Sequence, residues 1–346
     1  MMRVFIEPVA ESLPRLLRAS PYAKIAVLVD EHTRRHCYPL IKLLLPKHTL
    51  IRIGSGEESK QLATCEQIWQ AMTEAGLDRQ SLLLNLGGGV IGDMGGFCAA
   101  TFKRGIDFVQ VPTTLLAQVD ASVGGKLGID FRGFKNHLGV FSDPRAVLVD
   151  QQFLSTLPLA ELRSGFAEIV KHCLIADAAK WEKVRRRDLD KQDWADLIAH
   201  SIALKSAVVR EDPTEKGRRK ILNFGHTLGH AVESFFLATP KRKLRHGEAI
   251  AVGMVAESYL AHQKGLLDLA SLEQIEEFIF SVFGRVPLTD PELDQIIPLT
   301  LQDKKNHDGK VRAALLEGIG QARTDVEISP KEMRQALEYY RGGGVG

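Results

Sequence analysis

The sequence predicts an α/β half built on a parallel sheet, followed by an all-α or mainly helical half. Three observations carry this. Short apolar, β-branched runs alternate with helix-length segments as far as Asp150. From Leu159 onward most segments have helical period and length. The chain has 346 residues, enough for two domains at roughly 150 residues each. We expect the domains to be residues 1–155 and 156–346, joined by a change of architecture near 151–158 and not by a flexible linker.

Lys24–Asp30 (KIAVLVD) is a run of the kind a strand buried on both faces shows. A helical stretch follows to about Leu45. His48–Ile53 reads as a strand, Gln61–Ala75 as a helix, and Ser81–Leu86 (SLLLNL) as a second buried strand. That strand runs into Gly87–Gly89 and a helix from about Gly92. Asp107–Val111 reads as a strand stopped by Pro112, and Ala146–Asp150 as the last strand of this half. Such alternation means βαβ units and parallel pairing. In the second half, helices are predicted over Glu161–Ile175, Asp193–Val209, Phe224–Phe236, Glu248–Lys264, Leu272–Val282 and Pro330–Tyr340. Lys310–Leu316 alternates weakly and reads as a strand or hairpin.

Composition excludes several classes. Lys plus Arg is 45 against 43 for Asp plus Glu, a net charge of +2, which argues against a nucleic-acid coat or a polybasic membrane patch. Hydrophobic content of 45% with 25% charged residues excludes wholesale disorder. Cys37, Cys65, Cys98 and Cys173 form no C-x-x-C pair and read as reduced thiols of a cytoplasmic protein. The opening MMRVFIEPVAESLPRLL carries charges within its apolar stretch and does not read as a signal peptide. No apolar run approaches the ~20 residues a membrane helix needs.

Candidate chemistry begins at GGGVIG. Gly87, Gly89 and Gly92 satisfy G-x-G-x-x-G between a strand and a helix. Glycines there let a backbone approach a pyrophosphate, and the helix start supplies N–H donors. The usual acidic residue ~20 positions later is missing, so a tight steric turn is the competing reading. Asp30 closes the first strong strand, where it suits either a ribose hydroxyl or a helix N-cap.

His226 and His230 stand four apart in GHTLGHAVE, and Glu233 continues the same helix face. Imidazoles so placed can share a metal or a substrate; the competing reading is a polar face. Gly225 and Gly229 suggest close approach by something, because glycine costs a helix about 1 kcal/mol relative to alanine. His246 opens HGE before a long helix, and Glu168 sits in the apolar GFAEIVKH, where a carboxylate is costly unless paired or metal-bound. Histidine pairs with one glutamate form a common catalytic zinc set. Lys126, Lys135, Lys171, Lys205, Arg219, Lys304 and Lys305 each read singly as a solvated side chain. Beside a metal site they suggest a substrate with several negative charges.

Together these residues resemble the 3-dehydroquinate synthase family. The resemblance runs from about residue 24 to about 318 through GEESK (56–60), GGGVIGD (87–93), TFKRG (101–105), VPTTLL (111–116), DASVGGK, KN, GFAEIVKH, the Lys205–Arg219–Asn223 spacing, GHTLGHAVE, HGEA and DKK. It implies a Rossmann-like NAD-binding domain, a helical metal- and substrate-binding domain, a divalent cation (zinc or cobalt) and a homodimer. It assigns the metal to Glu168, His226 and His246, and makes His230 a substrate and proton-transfer residue. Lys126, Asn136, Lys171, Lys205, Arg219, Asn223 and one of Lys304 or Lys305 match substrate positions. Asp120 matches a residue near the metal-bound hydroxyl and the nicotinamide, and Arg104 one that reaches the neighbouring subunit's substrate phosphate. Cofactor contacts fall on Asp30, Glu57, Lys60, Gly88, Gly89, Val90, Asp93, Thr113, Thr114, Leu116, Lys126, Lys135, Phe153 and Thr156.

The implied reaction converts 3-deoxy-D-arabino-heptulosonate 7-phosphate to 3-dehydroquinate and phosphate. NAD is reduced and reoxidised within one turnover. The chain departs from the family pattern at a longer, basic stretch 234–245, at His137 and the residues after it, and at His32. Sister cyclases acting on sedoheptulose 7-phosphate and metal-dependent polyol dehydrogenases are the competing enzymes; a scaffold paralogue is the competing non-enzyme.

Overall fold

The computed structural model describes residues 3–132, 134–239, 242–301 and 311–342. The chain divides into two compact units, Met1–Leu162 with Trp194–Ile202, and Arg163–Asp193 with Ala203–Gly346.

In the first unit the elements follow as β1 (Arg3–Ile6), α1 (Val9–Ala19), β2 (Ile25–Val29), α2 (Glu31–His36), α3 (Tyr38–Ile41), β3 (Thr49–Arg52), α4 (Leu62–Glu74), β4 (Leu82–Gly87), α5 (Gly89–Thr101), β5 (Asp107–Pro112), β6 (Lys126–Phe131), β7 (Phe134–Phe141) and β8 (Ala146–Val149). Six strands form one sheet in the order β1-β8-β5-β4-β2-β3, and every pairing in it is parallel. The β2 run explains why. Ala26 and Leu28 enter one core cluster with Ile68, Met94 and Phe108. Ile25, Val27 and Val29 enter another with Leu13, Ile41 and Leu148. A strand buried on both faces has no polar alternation to show.

The strand order has a functional consequence. From β2 the chain steps outward to β3, then returns to lay β4 on the other side of β2. This reversal makes a switch point, and in open parallel sheets ligands bind at the carboxyl ends of strands there. Asp30 follows β2 and Gly88 follows β4 at that edge.

The expected alternation is present, with two additions. β1 and α1 lie ahead of the first expected strand. The stretch between β5 and β8, to which no strand was assigned, folds as the antiparallel hairpin β6–β7. Its pattern is masked by glycines: a Cβ on Gly139 would come 2.6 Å from the Leu127 carbonyl oxygen, so the hairpin strands meet backbone to backbone.

The second unit contains α6 (Leu159–Ala176, from Arg163), α7 (Ala178–Val184), the later part of α8 (Trp194–Glu211), α9 (His226–Leu237), α10 (His246–Gln263), α11 (Leu269–Phe283), α12 (Asp290–Leu301), the antiparallel pair β9 (Val311–Leu316) and β10 (Ala322–Ile328), and α13 (Pro330–Gly342). Of the weak alternation at Lys310–Leu316, the described part, Val311–Leu316, is thus one arm of a hairpin. α10 is apolar nearly all round and buried along most of its length, as a central helix must be; α9, α11, α13 and β9 pack on it. Among the described residues no helix is long and apolar enough to cross a membrane. The four cysteines are buried and form no disulfide.

Candidate functional site

In the first unit, α5 begins at Gly89 with no side-chain cap, so its first N–H groups are available to an anion. A Cβ on Gly88 would meet Thr114 Cγ2 at 3.0 Å, so glycine keeps the turn open to close backbone approach. Val90 and Asp93 lie on the first two turns of α5, and Thr113 and Thr114 follow β5. These features fit a dinucleotide pyrophosphate. Asp30 is the N-cap of α2: its Oδ1 accepts from Thr33 N at 2.7 Å. The capping alternative is therefore realised.

Lys60 ties the glycine turn to the hairpin. It is 5% exposed, and its Nζ donates to Asp93 Oδ2 at 2.6 Å and to Asn136 Oδ1 at 2.7 Å. Burial works to lower its pKa, but the Asp93 and Glu57 carboxylates outweigh it and hold the ammonium above the usual lysine value. Asn136 needs such support: its φ is 48°, in the left-handed region, and its N–H donates to Asp130 Oδ1 at 2.7 Å. Lys135 pairs with Glu57 at 3.6 Å. Lys126 opens β6, exposed, after the left-handed Gly124 and Gly125.

Asp120 lies in a π-helical turn, Ala117–Ala121, that starts after Leu116; such turns recur at functional sites. The buried Gln118 straps this turn to β5 and β8 by donating to Pro112 O at 3.2 Å and Asp150 O at 2.8 Å. Phe153 points into the core, and Thr156 is exposed at the end of the same 3-10 segment. Arg104 is exposed after α5, with φ 68°. His32 lies on α2 and His137 on β7.

In the second unit three helices bring one carboxylate and two imidazoles together. Glu168, fully buried on α6, has its Oε1 3.3 Å from His246 Nε2 and 3.4 Å from His226 Nε2. His226 and His246 are the first residues of α9 and α10. The three donor atoms lie within 4.8 Å of one another. His226 Nδ1 lies 3.0 Å from Phe224 O; a carbonyl only accepts, so Nδ1 carries the hydrogen and Nε2 keeps its lone pair. His246 Nδ1 lies 3.5 Å from Glu233 Oε1, the arrangement by which carboxylates orient metal-bound histidines. Burial works to lower the His246 pKa, yet the Glu233 and Glu168 carboxylates outweigh it and push it up to about 10. The position attracts positive charge, and the donor set suits zinc or cobalt.

His230 stands beside this cluster, its ring 4.9 Å from that of His226 and 6.0 Å from that of His246. Lys171 is buried and ion-paired with Glu168. Arg219 and Asn223 lie in the turn before α9. Arg219 donates to Pro213 O at 2.8 Å and Asn223 to Glu215 Oε1 at 2.8 Å. Lys205 is buried on α8. Lys304 and Lys305 lie outside the described residues. In the basic stretch before His246, Arg242 is tied to Glu292 and Pro287 O, both at 2.5 Å.

The group that closely approaches Gly225 and Gly229 is α10: Cβ atoms there would meet Ile250 O at 3.3 Å and Ala249 O at 3.1 Å. Three residues that shape the site went unread in the sequence. Ser164 Oγ accepts from Gly247 N at 2.9 Å. Asp212 accepts from the N–H groups of Lys216, Gly217 and Arg219. Glu257 accepts from two N–H groups at the start of α9. Only Glu257 left a signal, as a lone carboxylate in the apolar AVGMVAESYL.

The family described as 3-dehydroquinate synthase N-terminal matches residues 50–164, and 3-dehydroquinate synthase C-terminal matches residues 165–306. The chain is 38% identical over 344 residues to a 3-dehydroquinate synthase of Parabacteroides distasonis, covering 98% of this chain and 97% of the relative. It is 42% identical over 296 residues to one of Halorhodospira halophila, covering 83% and 82%. Among solved structures, 2-epi-5-epi-valiolone synthase from Streptomyces hygroscopicus with NAD+ and Zn2+ bound aligns with TM-score 0.87 at 27% identity, covering 99% of this chain and 97% of that one. A 2-deoxy-scyllo-inosose synthase complexed with carbaglucose-6-phosphate, NAD+ and Co2+ aligns with TM-score 0.85 at 26% identity, covering 99% and 96%. A butanol dehydrogenase from Thermotoga maritima, at 14% identity and TM-score 0.70, shares the fold. With both of its halves matched and relatives of this identity along most of its length, the chain belongs to the 3-dehydroquinate synthase family.

Proposed function

We propose that this chain converts 3-deoxy-D-arabino-heptulosonate 7-phosphate to 3-dehydroquinate and phosphate, with NAD and a divalent cation as cofactors. One observation carries the reading: Glu168, His226 and His246 converge within one unit of a chain whose halves match both halves of the family. The first unit takes the dinucleotide at the Gly88–Val90 turn, with Asp30, Glu57, Lys60, Asp93, Thr113, Thr114, Leu116 and Thr156 around it. Lys126 and Lys135 belong to the same contact set. Phe153, whose ring is buried, contributes through its backbone.

When bound, NAD+ takes up and returns one hydride while the cation polarises the substrate's oxygens. Glu168, His226 and His246 hold that cation. The chain's own residues do the rest by position. Lys126, Asn136, Lys171, Lys205, Arg219, Asn223 and one of Lys304 or Lys305 hold the substrate's carboxylate and phosphate, so each step finds its geometry already set. Arg219 and Asn223 are anchored by their own turn, which lowers the entropy lost on binding. His230 contacts the substrate and transfers a proton, and Asp120 acts beside the reacting centre. We further read the chain as a cytoplasmic homodimer in which Arg104 reaches the neighbouring subunit's substrate phosphate.

The test measures phosphate release from the keto acid phosphate with NAD+, with and without zinc, while the NADH band is followed. Release that needs both cofactors, without net NADH, is expected. Steady NADH formation with glycerol would overturn the reading in favour of a dehydrogenase. Turnover of sedoheptulose 7-phosphate instead would favour a sister cyclase. Sedimentation tests the dimer.

A further inference from the structure

We propose that Glu257 is a positioning residue for the metal centre, acting on His226 through the peptide group between Phe224 and Gly225. The inference rests on the reading of Glu168, His226 and His246 as metal ligands.

α9 begins without local means of satisfying its first N–H groups. Its N-cap is Gly225, with φ 76° and no side chain to accept a hydrogen bond. A capping box would need a polar N-cap and a Glu or Gln three residues on; here those positions hold Gly225 and Leu228. Glu257 on α10 does both tasks with one carboxylate. Its Oε2 accepts from Gly225 N at 2.6 Å and its Oε1 from Leu228 N at 2.9 Å. These are the two N–H groups that a capping box satisfies.

The reach depends on backbone contact between the helices. Gly253 lies one turn before Glu257 on α10, and a Cβ there would sit 1.9 Å from Gly225 O and 2.7 Å from Gly229 N. Glu257 is fully buried. A buried carboxylate is costly unless hydrogen-bonded, and two N–H donors at the positive end of a helix contribute to satisfying it.

The peptide that Glu257 grips is the one His226 uses. The N–H of the Phe224–Gly225 peptide donates to Glu257, and its C=O accepts from His226 Nδ1 at 3.0 Å. A carboxylate on the N–H side polarises the amide and makes its oxygen a stronger acceptor. That fixes the ring's tautomer and orientation, and raises the basicity of the Nε2 facing Glu168. A carboxylate reached through one peptide thereby does for His226 what Glu233 does directly for His246. α10 carries His246 at its first residue and Glu257 three turns later, so one helix registers both histidines.

The experiment is Glu257→Gln in the full-length protein. We measure Co2+ affinity by competition with a chelator and the visible spectrum of the Co2+ protein, with NAD+ affinity as the check on folding. The expected result is Co2+ affinity reduced about 10- to 100-fold, the usual effect of losing a partner behind a ligand, with shifted cobalt bands and NAD+ affinity within about twofold of wild type. Wild-type Co2+ affinity and spectrum in a folded Glu257→Gln protein would overturn the proposal. If the variant does not fold, amide hydrogen exchange in the wild-type protein decides. Zinc loading is expected to slow exchange at Gly225 and Leu228 at least tenfold, and no change there would overturn it. Glu168→Gln and His226→Ala separate the two levels. If these retain metal the ligand reading fails, whereas if they lose it and Glu257→Gln does not, only the present inference fails.

Discussion

Ser164 and Gly247 lock the start of α10 onto α6. The Ser164 hydroxyl accepts from the Gly247 N–H at 2.9 Å in a buried setting, and a Cβ on Gly247 would lie 2.1 Å from Ser164 O. Ser164 is one turn before Glu168, and Gly247 directly follows His246. This contact therefore sets the spacing between a carboxylate and an imidazole proposed to share a cation. Ser164→Ala leaves a buried N–H without its acceptor and is expected to cost about 1–3 kcal/mol, read as a lower urea midpoint. Gly247→Ala must push two backbones apart and is expected to lose bound metal, measured by elemental analysis. A Gly247→Ala protein with a full complement of metal would show that the contact does not govern the site.

The second prediction concerns the ligands and the carboxylate behind one of them. Glu168→Gln, His226→Ala and His246→Ala are expected to abolish stoichiometric zinc while NAD+ still binds. Glu233→Gln removes the charge facing His246 Nδ1 and is expected to weaken zinc about 10- to 100-fold. Chelator competition on the four proteins gives the ranking. Equal zinc affinity in Glu233→Gln and wild type would exclude the orienting role.

Lys60→Met tests the strut between the glycine turn and the hairpin. Removing one partner of a largely buried ion pair costs about 3 kcal/mol, and Asn136 loses a bond that holds its left-handed backbone. We expect lower stability together with at least a tenfold loss of NAD+ affinity, about 1.4 kcal/mol. Titration of NAD+ fluorescence quenching reads the affinity. Lost stability with unchanged affinity would make Lys60 a strut and not a cofactor contact.

The fourth prediction is a pH dependence far from the site. Glu332 on α13 accepts from Lys264 Nζ at 2.5 Å and from Ser329 N at 2.7 Å. The Lys264 hydrogen bond chiefly lowers its pKa from 4.5 to about 2; burial opposes it, and the Ser329 hydrogen bonds add to the lowering. A carboxylate with a depressed folded-state pKa stabilises above its unfolded value, and that stability is lost as pH falls through the folded one. Its side chain is 35% exposed, so solvent screening leaves about 1 kcal/mol. Glu332→Gln is expected to be less stable than wild type at pH 7 by that amount. Denaturation curves for the two are expected to converge as pH falls from 4.5 toward 2. A constant gap across that range would contradict the assignment.

Much of the first unit was legible because burial on both faces leaves a strong local pattern. The β2 and β4 runs are apolar at nearly every position and lie inside the sheet, flanked on both sides. The β6–β7 hairpin was not legible, since its glycines serve backbone contact and carry no periodicity. β1 was missed because one short edge strand has little pattern of its own. At the metal cluster, spacing alone grouped His226 with His230, and family resemblance separated them. The reason is tertiary: α6, α9 and α10 bring Glu168, His226 and His246 together, and His230, Glu233 and His246 form a second such group, and no spacing within α9 records either convergence. Glu257 carries the same signal as Glu168, a lone carboxylate in an apolar helix that must have a partner.

The clamp at Gly247 bears on how this chain can diverge. His246 takes its position from α6 and from the first turn of α10, so its placement does not hang on the length of the segment leading up to it. Extra length between α9 and α10 then leaves the proposed ligand where that contact holds it. The basic stretch before His246 is then fastened on its own account, through Arg242 to Glu292 and Pro287, and can carry added length without moving the imidazole.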